Sequence, residues 1–128
     1  MRFRNSEAAK RFAARRERED SAARLRDVAP GLTKLDLELT ELRRESGDPL
    51  STYVRRVVVT NAAAHFEIAC GDSACQEGGH DMTHAVLDSL RTRATSFTAE
   101  DPCRGSVGSS SAPCMRVLKL SGTAEYEG

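Results

Sequence analysis

Hydrophobic and polar positions change period several times along this chain, and each change marks an element. Leu35, Leu37 and Leu39 alternate with Lys34, Asp36, Glu38 and Thr40. Alternation of period two marks a half-buried strand, because successive side chains leave opposite faces. Leu32, Leu35, Leu39 and Leu42 also fit a helical stripe. Leu37 falls off that stripe, however, and the flanking Thr33 and Thr40 favour extended backbone, so the segment predicts a strand. Residues 43–49, with Gly47-Asp48-Pro49, form the turn that follows. Residues 52–60 (Thr-Tyr-Val-Arg-Arg-Val-Val-Val-Thr) predict a second strand. Past Asn61 and three alanines, Phe66, Ile68 and Cys70 share one face of a third strand, with His65, Glu67 and Ala69 on the other.

Beyond Gly78-Gly79 the period lengthens. Met82, Val86 and Leu90 recur every four residues, which predicts a helix over residues 82–93 with one buried face and Asp81 as its N-cap. Residues 94–98 read as a short strand, 100–113 as a Gly- and Ser-rich loop, and 116–121 as a last strand that extends through Tyr126. The first 28 residues predict a helix: Asn5 or Ser6 caps it, alanines recur at 8, 9, 13, 14, 22 and 23, and Ala29-Pro30-Gly31 stops it. Its apolar stripe is thin, with Phe12 and alanines on one side and Leu25 and Val28 near the end. Such a helix leans on the body or on a partner through its last turns. Helix, strand, strand, strand, helix, strand is an α+β order: an N-terminal basic helix, then a small, mostly antiparallel sheet with one packed helix. The chain divides into a basic helical arm, 1–29, and an α+β cysteine-containing domain, 30–128.

Charge sharpens that division. The total is 19 Lys+Arg against 19 Asp+Glu, yet residues 2–26 alone hold nine Lys/Arg against four acids, leaving a net −5 on the rest. A basic arm is therefore joined to an acidic body. Arg11, Arg15, Arg16 and Arg18 cluster along the arm and suit phosphates of RNA or DNA, or an acidic protein surface. The competing reading is a solvated helix whose arginines pair with Glu17, Glu19 and Asp20.

Core material is scarce: Leu, Val, Ile and Phe make up 24 of 128 residues, and there is no Trp, so a staple carries weight. The longest aliphatic run, Val57-Val58-Val59, falls far short of the roughly 20 apolar residues of a membrane span, so no membrane partner is expected. No apolar segment follows Met1, which points to the cytoplasm and so to metal or thiol chemistry over disulfides.

Four cysteines supply the staple. The central run is Cys70-Gly-Asp-Ser-Ala-Cys75-Gln-Glu-Gly-Gly-His80-Asp-Met-Thr-His84, and Cys103 and Cys114 bracket a loop beyond the helix. Two cysteines, a 27-residue gap and two more match, in outline, the knuckles that hold tetrahedral zinc. Cys70, Cys75, Cys103 and Cys114 are the candidate ligands, with His80 able to replace one sulfur or to orient one from outside. The plainer reading of His80 is a loop or pre-cap residue; His84 reads as solvated. Other readings of the cysteines stay open: reduced thiols, with Cys70 packed beside Phe66 and Ile68; one or two disulfides in three connectivities; or an iron–sulfur cluster. A Cys70–His80 nucleophile has no local signature, nor do paired carboxylates or a P-loop ending appear, so the constellation does not point to an enzyme.

The run Cys-x4-Cys, helix, Cys before a last strand resembles the thioredoxin-like two-iron ferredoxins, which implies a redox alternative. Their second pair is Cys-x3-Cys, whereas Cys103 and Cys114 have ten residues between them. Cys-Gly-Asp-x-x-Cys…Gly-Gly-His-Asp over residues 70–81, with Cys-Arg-Gly-Ser-Val-Gly at 103–108, resembles a family of uncharacterised small bacterial proteins, and that resemblance implies no activity. Three functions compete: a zinc-stabilised binding or adaptor module, a redox protein, and a homo-oligomer in which the thin helix completes its burial against a copy of itself.

Overall fold

A computed structural model describes residues 2–72, 75–76, 78–107 and 112–127. Helix α1 (Arg2–Ser21) and the short α2 (Leu25–Val28) lead into a hairpin of β1 (Leu32–Arg43) and β2 (Pro49–Val57). Three two-residue strands follow: β3 (Glu67–Ile68), β4 (Cys75–Gln76) and β5 (His80–Asp81). Then come α3 (Thr83–Arg91), β6 (Ser96–Pro102), β7 (Ser106–Val107), β8 (Ala112–Pro113) and the long β9 (Arg116–Tyr126). The main sheet has the order β2-β1-β9-β6, with every neighbouring pair antiparallel. The last strand therefore lies between the first hairpin and β6. Two small sheets, β3-β5 and β4-β7-β8, complete the α+β layout.

Strand alternation builds the core. Leu35, Leu37 and Leu39 of β1 lie opposite Ala124, Gly122 and Leu120 of β9, so all six belong to one face. Leu25, Phe66, Met82, Val86 and Leu90 are buried in the same cluster. The other face carries Asp36, Glu38 and Thr40 opposite Thr123, Ser121 and Lys119. Gly122 also lies opposite Phe97 of β6, and a Cβ at that glycine would collide with the Phe97 ring. A side chain there would push the aromatic ring off the sheet.

Several expectations are corrected. Helix α1 already runs from Arg2, so Asn5 and Ser6 lie inside it and do not cap it. It ends at Ser21, well before Ala29. Leu25 is wholly buried, which draws the chain into the body: Leu25 N–H donates to Ala62 O, Ala64 N–H to Ala23 O, and Arg24 bridges Ala63. Leu25 and Ala29 thus belong to the core cluster, with Val28 partly buried against it and Ala29 only 3% exposed. The second strand is Pro49–Val57, not 52–60, because its register is set by pairing with β1. The third is two residues long. The 94–98 strand continues to Pro102, carried by its ladder with β9. Within the expected 100–113 loop, β7 pairs with β4 and β8; residues 108–111 lie outside the described residues. Asp81 belongs to β5; its Oδ1 accepts the Thr83 N–H, while Met82 stands at the N-cap of α3. Among the described residues no helix is long and apolar enough to cross a membrane.

Candidate metal centre

Four separate elements bring the cysteines together. Cys70 follows β3, Cys75 opens β4, Cys103 follows β6, and Cys114 stands between β8 and β9. The backbone holds the last two: Cys103 N–H donates to Arg116 O and Cys114 N–H to Gly105 O, both at 2.9 Å. Every pair among the four Sγ atoms lies within 4.8 Å. Two close approaches cross between knuckles: Cys70–Cys114 at 3.7 Å and Cys75–Cys103 at 3.5 Å. The cluster can hold a metal ion. Cys103 and Cys114 are buried, while Cys70 and Cys75 are half-buried.

Backbone donors already point at the sulfurs. Asp72 N–H reaches Cys70 Sγ at 3.5 Å, and Gly79 N–H reaches Cys103 Sγ at 3.3 Å. Such donors stabilise thiolates. Burial pushes the Cys75 thiol up to about 12 and raises that of Cys70. Burial acts on Cys103 in the same direction, but the Gly105 and Gly79 amides and the Cys75 and Cys114 thiols together bring this thiol below its ordinary value.

Gly78 leaves room for the cluster. A Cβ at this position would stand on the sulfurs of both Cys75 and Cys103. Gly78→Ala is therefore expected to weaken metal binding at least about tenfold, since neither sulfur can yield without leaving the ion. The β1–β9 ladder should keep its amide-exchange protection. Competition titration against a chromophoric chelator reads the affinity, and an unchanged value would refute the steric role.

His80 is a buried residue, not a loop residue. Its side chain is wholly inaccessible, and Nδ1 lies 2.9 Å from Asp101 O and 3.9 Å from Asp101 Oδ2. Asp101 is thus an acidic neighbour of the ring, and a carboxylate oxygen of Glu41 lies within 4.8 Å of one of its nitrogens. Burial holds the imidazole below its ordinary pKa. His84 is exposed. His65 Nε2 lies 3.3 Å from Glu67 Oε2.

Sequence reasoning missed Glu41, although strand parity could have found it. Alternation from Leu37 and Leu39 places residue 41 on the core face, and Glu41 is only 5% exposed. Its carboxylate accepts from Arg116 Nη1 and from Gly71 N–H. Arg116 shares the parity of Leu118 and Leu120, just as Asp101 shares that of Phe97 and Ala99. Each strand therefore ends its apolar alternation in one charged residue beside the cysteine cluster.

The arginines of the arm divide. Arg18 donates from Nε and Nη2 to the two oxygens of Glu67, and the Arg18 guanidinium holds that carboxyl below its usual range. Arg18 thus anchors α1 to the body. Arg11 and Arg16 are exposed and Arg15 is half-buried. Arg11, Phe12 and Arg15 line a groove of about 270 Å³ whose opposite wall is Ala69, Cys70, Cys75 and Gly78. No family model, curated protein or solved structure matches the chain.

Proposed function

We propose that this chain is a small zinc-stabilised binding module whose basic N-terminal helix docks on an acidic partner. The closed set of four sulfurs carries the proposal. One tetrahedral ion bonded at about 2.3 Å to each sulfur sets the sulfurs about 3.8 Å apart, close to the 3.5 and 3.7 Å of the two short pairs. A two-iron cluster shares its thiolates between two ions and spreads them more widely, so a set held within 4.8 Å supports a single ion. Zinc suits a closed four-thiolate structural site because it has no redox chemistry and no geometric preference of its own. The β4-β7-β8 sheet supports a structural role for the ion, because strands of two residues contribute little stability by themselves. Elemental analysis and a visible spectrum of the purified protein test this. One zinc per chain without colour is expected; iron with visible absorption would move the protein to the redox class.

For the arm, Arg18 is the anchor, and Arg11, Arg15 and Arg16 are the contacts offered to the acidic partner. Three phosphate contacts give a salt dependence of about fortyfold in affinity between 50 and 200 mM salt. Fluorescence anisotropy with an oligonucleotide duplex and with an acidic peptide reads it. The Arg11→Glu/Arg15→Glu/Arg16→Glu variant should lose binding. Affinity that persists in that variant or at high salt would count against the arm.

A further inference from the structure

Beside the four-sulfur centre, and resting on its being a metal site, lies a second set of ligand atoms that shares one sulfur with it. A ring nitrogen of His80, a carboxylate oxygen of Glu41 and Cys70 Sγ lie within 4.8 Å of one another. They come from three places in the fold: Glu41 from β1, His80 from β5 and Cys70 from just past β3. Atoms bonded to one zinc at about 2.0–2.3 Å stand roughly 3.3–3.8 Å apart, so small side-chain adjustments close this set on an ion. His80 Nδ1 meets the carbonyl oxygen of Asp101, and a carbonyl can only accept, so Nδ1 carries the hydrogen. The neutral ring then presents its lone pair at Nε2. That atom is fully buried and has no hydrogen-bond partner among the described residues. Glu41 accepts from Arg116 on one oxygen and from the Gly71 amide on the other, which leaves each oxygen a second lone pair.

An unsatisfied buried acceptor is costly. An imidazole whose other nitrogen donates to a backbone carbonyl is also how metal-bound histidines are held in tautomer and orientation. Charge points the same way. Four thiolates around one divalent ion carry a formal charge of about −2. The charged side chains beside them do not offset it, because Glu41 is cancelled by Arg116 and Asp101 by Arg104. Arg11 and Arg15 face Cys70 and Cys75 only across the groove, where water screens them. Charge drawn out of water needs a close partner. A second divalent ion on the His80, Glu41 and Cys70 set brings that balance to zero.

We propose that the centre is binuclear. A second divalent transition ion binds Cys70 Sγ, His80 Nε2 and one Glu41 oxygen, and the Cys70 thiolate bridges it to the ion held by the four sulfurs. His80 serves this second ion only. Imidazole, thiolate and carboxylate together suit zinc or cobalt(II). Three protein ligands leave the second ion one position for water. With fewer ligands it fills after the four-sulfur site, so the protein isolated without added metal carries one zinc.

Cobalt(II) titration of the full-length protein loaded with one zinc tests this, with both metals counted per chain by equilibrium dialysis. Wild type should keep its zinc and bind one cobalt, whose charge-transfer absorption shows a single thiolate. His80→Gln and Glu41→Gln should each keep the zinc but bind cobalt at least about tenfold more weakly. A second measurement needs no variant. Two cobalt ions bridged by one thiolate couple magnetically, so in wild type loaded with cobalt alone the second equivalent should add less EPR signal than an isolated ion. The proposal is overturned if cobalt displaces the zinc and leaves one ion per chain, if either variant that keeps its zinc binds cobalt as tightly as wild type, or if the second cobalt adds a full, uncoupled signal. Wild type that holds no zinc would remove the four-sulfur reading, and the bridge with it.

Discussion

Cys114→Ser should lose metal affinity by more than the roughly 10–100-fold that loss of an outer partner costs, because Cys114 is wholly buried and nothing else in its cluster can replace it. The loss should also appear as stability. Apparent binding energies of structural zinc are of order 10–16 kcal/mol in small peptides, and that energy is available only to the folded chain. Losing even a quarter of it should lower Tm by about 10 °C or more in a chain of this size. The decisive comparison is made after chelation. Stripped wild type and stripped Cys114→Ser should melt together, because the substitution then removes only a buried thiol. The first cooperative loss on chelation should fall on β4, β7 and β8, whose amides should exchange before those of the β1–β9 ladder. Equal melting of the two metal-loaded proteins would refute the structural role of the ion.

Phe66→Ala should cost about 3–5 kcal/mol, the range for truncating a buried aromatic side chain. Phe66 is 1% exposed and ties the short β3-β5 sheet to the start of α3: its N–H donates to Thr83 Oγ1, and its carbonyl accepts from Met82 N–H. In a domain with total stability of about 5–15 kcal/mol, that is a large share. Unlike Cys114→Ser, this variant should lose the same amount with and without metal, because Phe66 belongs to the apolar cluster and not to the ligand set. Urea unfolding in the presence and absence of chelator measures both numbers. A cost confined to the metal-loaded protein would show that Phe66 acts through the centre and not through the core.

Much of the fold was legible because its signals are local. The alternating leucines of 35–39 placed β1, and the turn at Gly47-Asp48-Pro49 placed the hairpin. The i+4 spacing of Met82, Val86 and Leu90 placed α3. The boundaries that failed depend on distant partners. β6 outran its predicted end because seven of its residues pair with β9. Helix α1 stopped short because Leu25 is buried and because the backbone at 23–25 bonds to 62–64. The stretch expected as a loop over 100–113 holds strands because β4 supplies an edge for β7. For the candidate site, the four cysteines could be named from the chain alone, since thiol chemistry depends on residue type. Glu41 and Arg116 were encoded in strand parity, but a carboxylate and a guanidinium become informative only once they face each other.

The sequence by itself therefore determined which groups are present and the local periods that place them: a basic arm, a sheet of alternating strands, one amphipathic helix and four thiols in a chain poor in core. Tertiary structure alone decided their meeting. The close sulfur pairs join residues 44 and 28 positions apart, across different knuckles, and no short window of sequence holds both members. Inserting β9 between β1 and β6 brings Glu41, Arg116 and Asp101 to one end of the sheet. Burial of His80 against Asp101, which fixes its tautomer and leaves Nε2 free, likewise depends on β5 lying beside β6. Local propensity acts over a few residues, whereas ligand geometry depends on which strands become neighbours, and that is settled only when the whole core closes.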